Sequence, residues 1–279
     1  MKALNFRKVS LPGDADTFVP STISIAVPAT LTVERDRLHL LTHIPWSSAY
    51  LKHVPGEYRA FFRYVLPYLS PRTTSVHTAL SVAFIPVLVA GIDPSANVRI
   101  ITLAVILHDC GWSQVSPSQI ADSLDYSGIM FTPKAAEAKR LHAVHGSRIA
   151  YELLRNYEFK EPLTEAEINL IADIALYHEQ PLAYNTGGKT PNELIITCEA
   201  DRLWPFTHEN FWLDVIRKGV APSTYIQNAA ASIEGLFLTE TGRHIAWRLM
   251  NERITEVAAY ESFIARSNVL RHTSLAKFA

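Results

Sequence analysis

We predict an all-α protein from three observations. Apolar residues recur with the three-to-four-residue spacing of a helix face, as in the range 58–66. Helix starts are marked by capping patterns, such as Thr164 followed three positions later by Glu167. Strand-like alternation of apolar and polar residues is confined to the range 23–27. Most of the 279 residues should therefore form helices around one large core.

The chain divides into an N-terminal extension over residues 1–45 and a helical domain over residues 46–279. Pro12, Pro20 and Pro28 interrupt the extension, which predicts irregular backbone with at most a small strand pair. Beyond the extension the apolar period changes to that of helices. The expected organisation is one helical domain preceded by an irregular N-terminal extension.

Helix 58–66 should be followed by eight more, at 73–91, 95–109, 134–156, 164–179, 191–203, 208–218, 222–236 and 239–264. The most apolar stretch, 80–92, predicts a core helix kinked or broken near Pro86. It is shorter than the roughly 20 apolar residues that cross a bilayer. The ranges 113–131 and 182–189 are expected to be loops that shape a pocket.

Composition narrows the class of protein. The net charge is -1 with no long basic run, so nucleic acid is not expected as the main partner. The two cysteines, Cys110 and Cys198, stand apart in apolar surroundings and form no disulfide framework. The N-terminus lacks the apolar segment of a secretion signal. We expect a cytoplasmic protein with a small-molecule substrate and no membrane; the sequence leaves its oligomeric state open.

The doublet His108-Asp109 carries the strongest chemical signal. Adjacent residues on a helix diverge by about 100°, but both side chains reach an ion at the helix end, where Gly111 offers a stop. Further donors flank the doublet, at His77, His142, His178 and Asp201. Imidazole nitrogen and carboxylate oxygen suit Fe, Mn, Zn or Ni, and one carboxylate can bridge two ions. The pattern therefore indicates a metalloenzyme.

These residues resemble the HD superfamily of metal-dependent hydrolases, an all-helical family. Its pattern is a His, a His-Asp doublet and a distant Asp, which here are His77, His108, Asp109 and Asp201. The segment 104–111 is similar to the family's apolar helix running into the doublet and a glycine. The run 200–203 is similar to its closing motif. The resemblance implies an HD-domain helical bundle in which His108 and Asp109 are catalytic.

Two further histidines extend the resemblance to the six-ligand form that holds two metal ions. The segments 142–150 and 172–178 are similar to the family segments that supply them. The resemblance implies one ion held by His77, His108 and Asp201. It implies a second ion held by His142 and His178, with Asp109 bridging both. The expected cofactor is thus a pair of divalent ions, Fe, Mn, Ni or Zn.

For the third histidine there are two candidates, His142 and His145, which lie near the same helix face. We favour His142, because Gly146 and Ala150 then fall four and eight residues later, where small side chains let helices approach. His145 is expected to support the site from behind. Arg202, next to a ligand, is expected to support it through an ion pair.

Substrate contacts are expected from Trp112, Lys139 and Arg148. Many two-metal HD phosphodiesterases, and the similar inositol oxygenase branch, have a lysine three residues after the Asp of the doublet. In this sequence that position is Trp112. An indole offers stacking and one N–H donor instead of a cation. Lys139 and Arg148 are candidates to hold an anionic group, although charged helix residues usually face solvent.

Three functions are compatible with this pattern. The first is a hydrolase that acts on a small phosphorylated or otherwise anionic molecule through metal-activated water. The second is a mixed-valence diiron oxygenase acting on a small organic substrate, because the six-ligand set also resembles the HD oxygenases that cleave phosphonates or inositol. The third is a binding protein that keeps metal for structure, which requires ions fully coordinated by protein.

Overall fold

A short strand pair precedes the helices in the structure, a computed structural model. The structure describes four stretches of the chain, 24–25, 41–124, 132–184 and 189–275, with side chains described for 41–124, 132–184 and 189–266. β1 (Ser24–Ile25) pairs antiparallel with β2 (Thr42–His43), Ser24 opposite His43. The rest of the predicted extension before residue 41 lies outside the described residues.

Helices make up nearly all the regular structure of the described residues, so the all-α prediction is confirmed. In chain order they are α1 (Arg59–Val65), α2 (Thr74–Ile92), α3 (Val98–Leu107), α4 (Pro117–Leu124), α5 (Pro133–Asn156), α6 (Glu165–Tyr177), α7 (Asn192–Arg202), α8 (His208–Lys218), α9 (Pro222–Leu236) and α10 (Glu240–Leu275). Short 3-10 turns link several of them, and the one at Cys110–Gln114 directly follows the His-Asp doublet.

Local capping explains where two of these helices begin. The Thr164 side chain accepts from the backbone N–H of Glu167, whose side chain accepts from the backbone N–H of Thr164, so the predicted capping box is present at α6. α3 begins later than predicted, because Asn97 caps it by accepting from the backbone N–H groups of Arg99 and Ile100.

A helix replaces part of one predicted loop. The range 113–131 contains α4, which begins with a proline at a position where the missing N–H costs nothing. Its apolar residues Ile120, Ala121 and Leu124 pack in one small cluster with Trp112. The loop prediction was wrong for 117–124, because only a narrow face of this short helix is apolar and the remaining residues are mostly polar. Residues 125–131 lie outside the described residues.

α2 runs without interruption through Pro86, so of the kink or break predicted there the break is wrong. Pro86 is exposed, and its ring therefore faces solvent rather than a neighbouring helix. Ile85 and Leu88 on either side are buried and hold both halves of the helix in the core. The cost of the missing backbone hydrogen bond is offset by this packing.

The core is centred on α3, in which every residue from 100 to 107 is buried. α2, α6 and α7 pack around α3, and α5 packs on α6 and on the turn that follows α3. With 19 residues and a mean hydropathy of 1.9, α2 is long and apolar enough to span a membrane. However, 61% of it is buried inside the bundle, as is usual for the core helix of a soluble protein.

Candidate metal centre

Six histidine and aspartate side chains from five helices or helix ends meet in the middle of the bundle. They are His77 on α2, His108 and Asp109 just after α3, His142 on α5, His178 just after α6 and Asp201 on α7. Five of them are buried, and Asp201 is half-buried. The structure thus brings together all six residues that the sequence singled out as ligands.

Gly111 lets the turn after the doublet lie directly against α5. A Cβ atom at Gly111 would stand 1.9 Å from the carbonyl oxygen of His142 and 2.4 Å from the backbone nitrogen of Gly146. Only a glycine fits that gap without moving backbone. This close approach brings Asp109 and His142, from distant parts of the chain, to the same point.

The carboxylate of Asp109 lies between two pairs of imidazoles. Its Oδ2 is 3.1 Å from Nδ1 of His77 and 3.7 Å from Nε2 of His108. Its Oδ1 is 3.4 Å from Nε2 of His142 and 3.8 Å from Nε2 of His178. Asp109 thus belongs to two groups of three residues, one with His77 and His108 and the other with His142 and His178. Within each group the candidate ligand atoms lie within 4.8 Å of one another. One carboxylate is therefore shared by two potential ion sites.

Asp201 adds a second carboxylate to one side only. Its Oδ1 is 3.0 Å from Nε2 of His77 and 3.5 Å from Nε2 of His108. His77 consequently has one ring nitrogen next to Asp109 and the other next to Asp201. The histidine pair His77 and His108 thus has two aspartate carboxylates beside it, whereas the pair His142 and His178 has one.

His108 and His178 are oriented by the same local device. Each directly follows the last residue of a helix, and its Nδ1 bonds the carbonyl oxygen three residues earlier, Val105 at 2.7 Å and Ala175 at 2.8 Å. Carbonyl groups in the last turn of a helix lack backbone partners. Because Nδ1–H donates to one of them, the lone pair of Nε2 faces the cluster, as in many metal-binding histidines.

The nitrogen atoms fit the requirements of an ion. Nε2 of His108 is buried with no hydrogen-bond partner among the described residues. Nε2 of His142 and Nε2 of His178 are 3.2 Å apart. Two nitrogen ligands at about 2.0–2.1 Å from one ion stand roughly 3.0–3.4 Å apart. The buried cluster therefore offers suitable ligands for metal.

The charges of the cluster are strongly coupled. Burial alone would lower the pKa of His108, but the carboxylates of Asp109 and Asp201 outweigh it and raise that pKa to about 9. Burial would raise the pKa of Asp109, yet His108, His142 and His77 hold it well below its usual range. Burial and then the positive charges of His108 and His142 lower the pKa of His178 to about 4. Positive charge is favoured next to the carboxylates and disfavoured at His178.

Trp112 forms a second layer under Asp109 and His142. Its indole N–H donates to Oδ1 of Asp109 at 2.9 Å, and its ring stacks on that of His142 with centroids 4.1 Å apart and planes at 6°. Trp112 is 2% exposed. Its predicted substrate contact stays a prediction, and the structure adds an orienting role that sequence reasoning missed.

Lys139 reaches the cluster through a residue that the sequence analysis overlooked. Its Nζ is 2.8 Å from Oε2 of Glu179, whose Oε1 is 3.9 Å from Nε2 of His142. Burial would raise the pKa of Glu179, but Lys139 and the two nearest histidines lower it. The position of Glu179, immediately after His178, was the one available signal.

The remaining predicted residues lie outside the cluster. His145 and Arg148 line a groove of about 420 Å³ beside α5, together with Tyr64, Tyr68 and Gln114. Arg202 donates to the carbonyl oxygen of Leu236 at 2.9 Å, and within the described part of the chain no carboxylate is in ion-pair range of it. The predicted ion pair is therefore absent there, because adjacent helix residues point about 100° apart.

Comparison with known families supports the same assignment. Residues 77–204 match the family model of the HD domain, a range that begins at the first cluster residue and ends just after the last. This match supports an HD-superfamily protein. No curated protein matches the chain. No solved structure matches it either.

Proposed function

We propose that this protein is a metal-dependent hydrolase of the HD superfamily that acts on a small phosphorylated or otherwise anionic molecule. One observation carries the proposal: the carboxylate of Asp109 turns one oxygen toward each of two histidine pairs. A shared carboxylate is the expected ligand between two divalent ions. The HD-domain match supports the same reading.

The proposed ligands divide between two ion sites. His77, His108 and Asp201 would hold one ion, His142 and His178 would hold the other, and Asp109 would contribute one oxygen to each. Nitrogen and oxygen donors suit Fe, Mn, Ni or Zn. Two such ions would lower the pKa of a bound water to about 7 and stabilise the negative charge that develops on the attacked group.

The protein groups around the ligands hold them in place and limit water. Trp112 fixes the carboxylate of Asp109, and backbone carbonyls fix the rings of His108 and His178. His108, His142 and His178 are fully buried, whereas the side chains of Asp201 and Glu179 are 22% and 26% exposed. Substrate therefore approaches from the side of Asp201 and Glu179.

A mixed-valence diiron oxygenase acting on a small organic substrate is the second candidate. The donor set, four imidazoles with a shared carboxylate, suits iron as well as zinc. In addition, an indole rather than a cation follows the doublet at Trp112, so the substrate need not be a phosphoester. The identity of the bound metal therefore distinguishes the oxygenase from the hydrolase.

The test is metal analysis of protein purified without oxygen, electron paramagnetic resonance of the same sample and turnover of a panel of phosphoesters. The hydrolase proposal expects about two ions per chain and phosphoester cleavage that Asp109→Ala abolishes. A coupled Fe(II)/Fe(III) signal without cleavage would favour the oxygenase. Bound metal with neither activity would favour a structural role.

We also propose a cytoplasmic location and a small molecule, rather than nucleic acid or membrane, as the partner. Cys110 and Cys198 are buried free thiols, and this supports a reducing compartment. The near-neutral net charge of -1 supports the absence of a nucleic-acid partner.

A further inference from the structure

Arg72 brings a positive charge to the edge of the metal centre. It lies in the turn before α2, and its guanidinium carbon is 4.5 Å from the ring centroid of Trp112. The same indole stacks on His142 and donates to Asp109. One aromatic ring thus joins the guanidinium to two residues of the cluster, and the cation is attracted to the face of that ring.

The guanidinium of Arg72 has spare hydrogen-bonding capacity. In the described part of the chain, no carboxylate lies within 4.0 Å of it and no carbonyl accepts from it. A guanidinium offers five N–H donors, and a half-buried charge is normally paired with an opposite one. The nearby carboxylates Asp109 and Asp201 are already engaged by histidines.

The backbone keeps Arg72 in an unfavourable conformation. Its φ is 57°, the only positive value at a non-glycine residue among those described. Glycine or asparagine would take this conformation more easily. Residues held in such sparsely populated conformations cluster at binding and active sites, and this supports a functional place for Arg72 beside the cluster.

The charges around Arg72 also favour an added anion. Burial lowers the pKa of Arg72 most, and Arg217 lowers it further, while Asp109, Glu179 and Asp201 oppose this. Arg217 belongs to α8, and its Nε is buried without a partner in the described residues. Arg217 is nevertheless paired with Asp214 on the same helix, whereas Arg72 has no such carboxylate partner among the described residues, so the unmet need for an opposite charge lies at Arg72.

We propose that Arg72 binds an oxyanion, the phosphate or carboxylate group of the molecule on which the metal centre acts. The paired donors of a guanidinium match either group. That this oxyanion is part of the substrate rests on the proposed function. Arg72 would then supply the cation that is missing at Trp112, from a different part of the chain.

Isothermal titration of the metal-loaded full chain with inorganic phosphate, and separately with acetate, tests this proposal. Arg72→Gln should weaken binding of at least one probe by about 10- to 100-fold, with metal content unchanged. Arg72→Lys keeps the charge but loses the paired donors, so its affinity for the probe should lie between those of the wild type and Arg72→Gln. Arg155→Gln, the same change at an exposed arginine that bonds Tyr151, should bind like the wild type.

Several results would overturn the proposal: no binding of either probe to the wild type, unchanged affinity in Arg72→Gln, or loss of metal together with affinity. If Arg72→Gln does not fold, Arg72→Lys decides, and an affinity equal to that of the wild type counts against Arg72. Binding through Arg72 without phosphoester cleavage refutes the hydrolase but not the oxyanion site. Cleavage with an unchanged KM in Arg72→Gln refutes the site but not the hydrolase.

Discussion

The Nε2 atoms of His142 and His178 lie 3.2 Å apart, although the two residues belong to different helices. His178 uses its Nδ1 on the carbonyl oxygen of Ala175, so its Nε2 has no proton to donate when the ring is neutral. Both rings are fully buried. Two imidazoles held this close and shielded from water are positioned to share one ion.

His142→Ala should therefore lose metal, and His145→Ala should keep it. The two residues are three positions apart on α5, so the substitutions are closely matched, but His145 lines the groove outside the cluster. Metal content per chain after gel filtration is the measurement. The reverse pattern, with metal lost only in His145→Ala, would show that His145 is the ligand and His142 is not.

Asp109→Ala should abolish metal retention and turnover together. The substitution removes the one carboxylate shared by both groups and leaves two cations repelling each other with less negative charge between them. Asp173→Ala on α6 is the control, since Asp173 is outside the cluster. If Asp109→Ala binds the wild-type amount of metal, the carboxylate does not bridge.

Trp112→Phe should keep the stack on His142 but remove the hydrogen bond to Asp109. Loss of a group that orients a metal ligand typically lowers metal affinity by about 10- to 100-fold. Competition with a chelator measures this affinity. A raised KM with unchanged metal affinity would instead support the substrate contact that the sequence predicts for Trp112.

Gly111→Ala should destabilise the fold by more than the ~1–3 kcal/mol usual for an overpacked core. The added methyl group would meet backbone atoms of His142 and Gly146, which cannot rotate away. Urea unfolding of the metal-free protein measures the change. Gly235→Ala is the control: its Cβ would meet nothing within 4 Å, and α9 should gain about 0.5–1 kcal/mol. Equal effects would contradict the close contact.

Metal binding at pH 7.5 should release at least one proton per chain. In the metal-free protein the pKa of His108 is about 9, so this ring carries a proton that an ion must displace. Calorimetric titration in two buffers with different ionisation enthalpies measures the release. Heats that do not depend on the buffer would show that His108 is neutral before the metal binds.

The same pKa predicts how the stability of the metal-free protein varies with pH. The pKa of His108 is raised above the value near 6.5 of an unfolded histidine. Its contribution to stability is therefore complete below about pH 6.5 and disappears as the pH rises through 9. The free energy of unfolding should fall over that range, and in His108→Gln this fall should be smaller.

The fold was largely predictable from the sequence because helices leave periodic and capping signals. The doublet and Gly111 also marked the centre of the cluster, and Gly146 correctly indicated that His142 packs beside the turn. The contacts of Arg72 and Glu179 were not predictable. They depend on which way side chains point from elements that are distant in sequence, and no local pattern records that.

The order of the cluster residues along the chain has a consequence for biosynthesis. The first is His77 on α2 and the last is Asp201 on α7, so a nascent chain cannot assemble the complete set until α7 has left the ribosome. Contacts between such distant segments form late in folding, because closing long loops costs entropy. Metal uptake should therefore report completed folding of the bundle rather than an early intermediate, and truncation before α7 should leave a chain with at most a partial site.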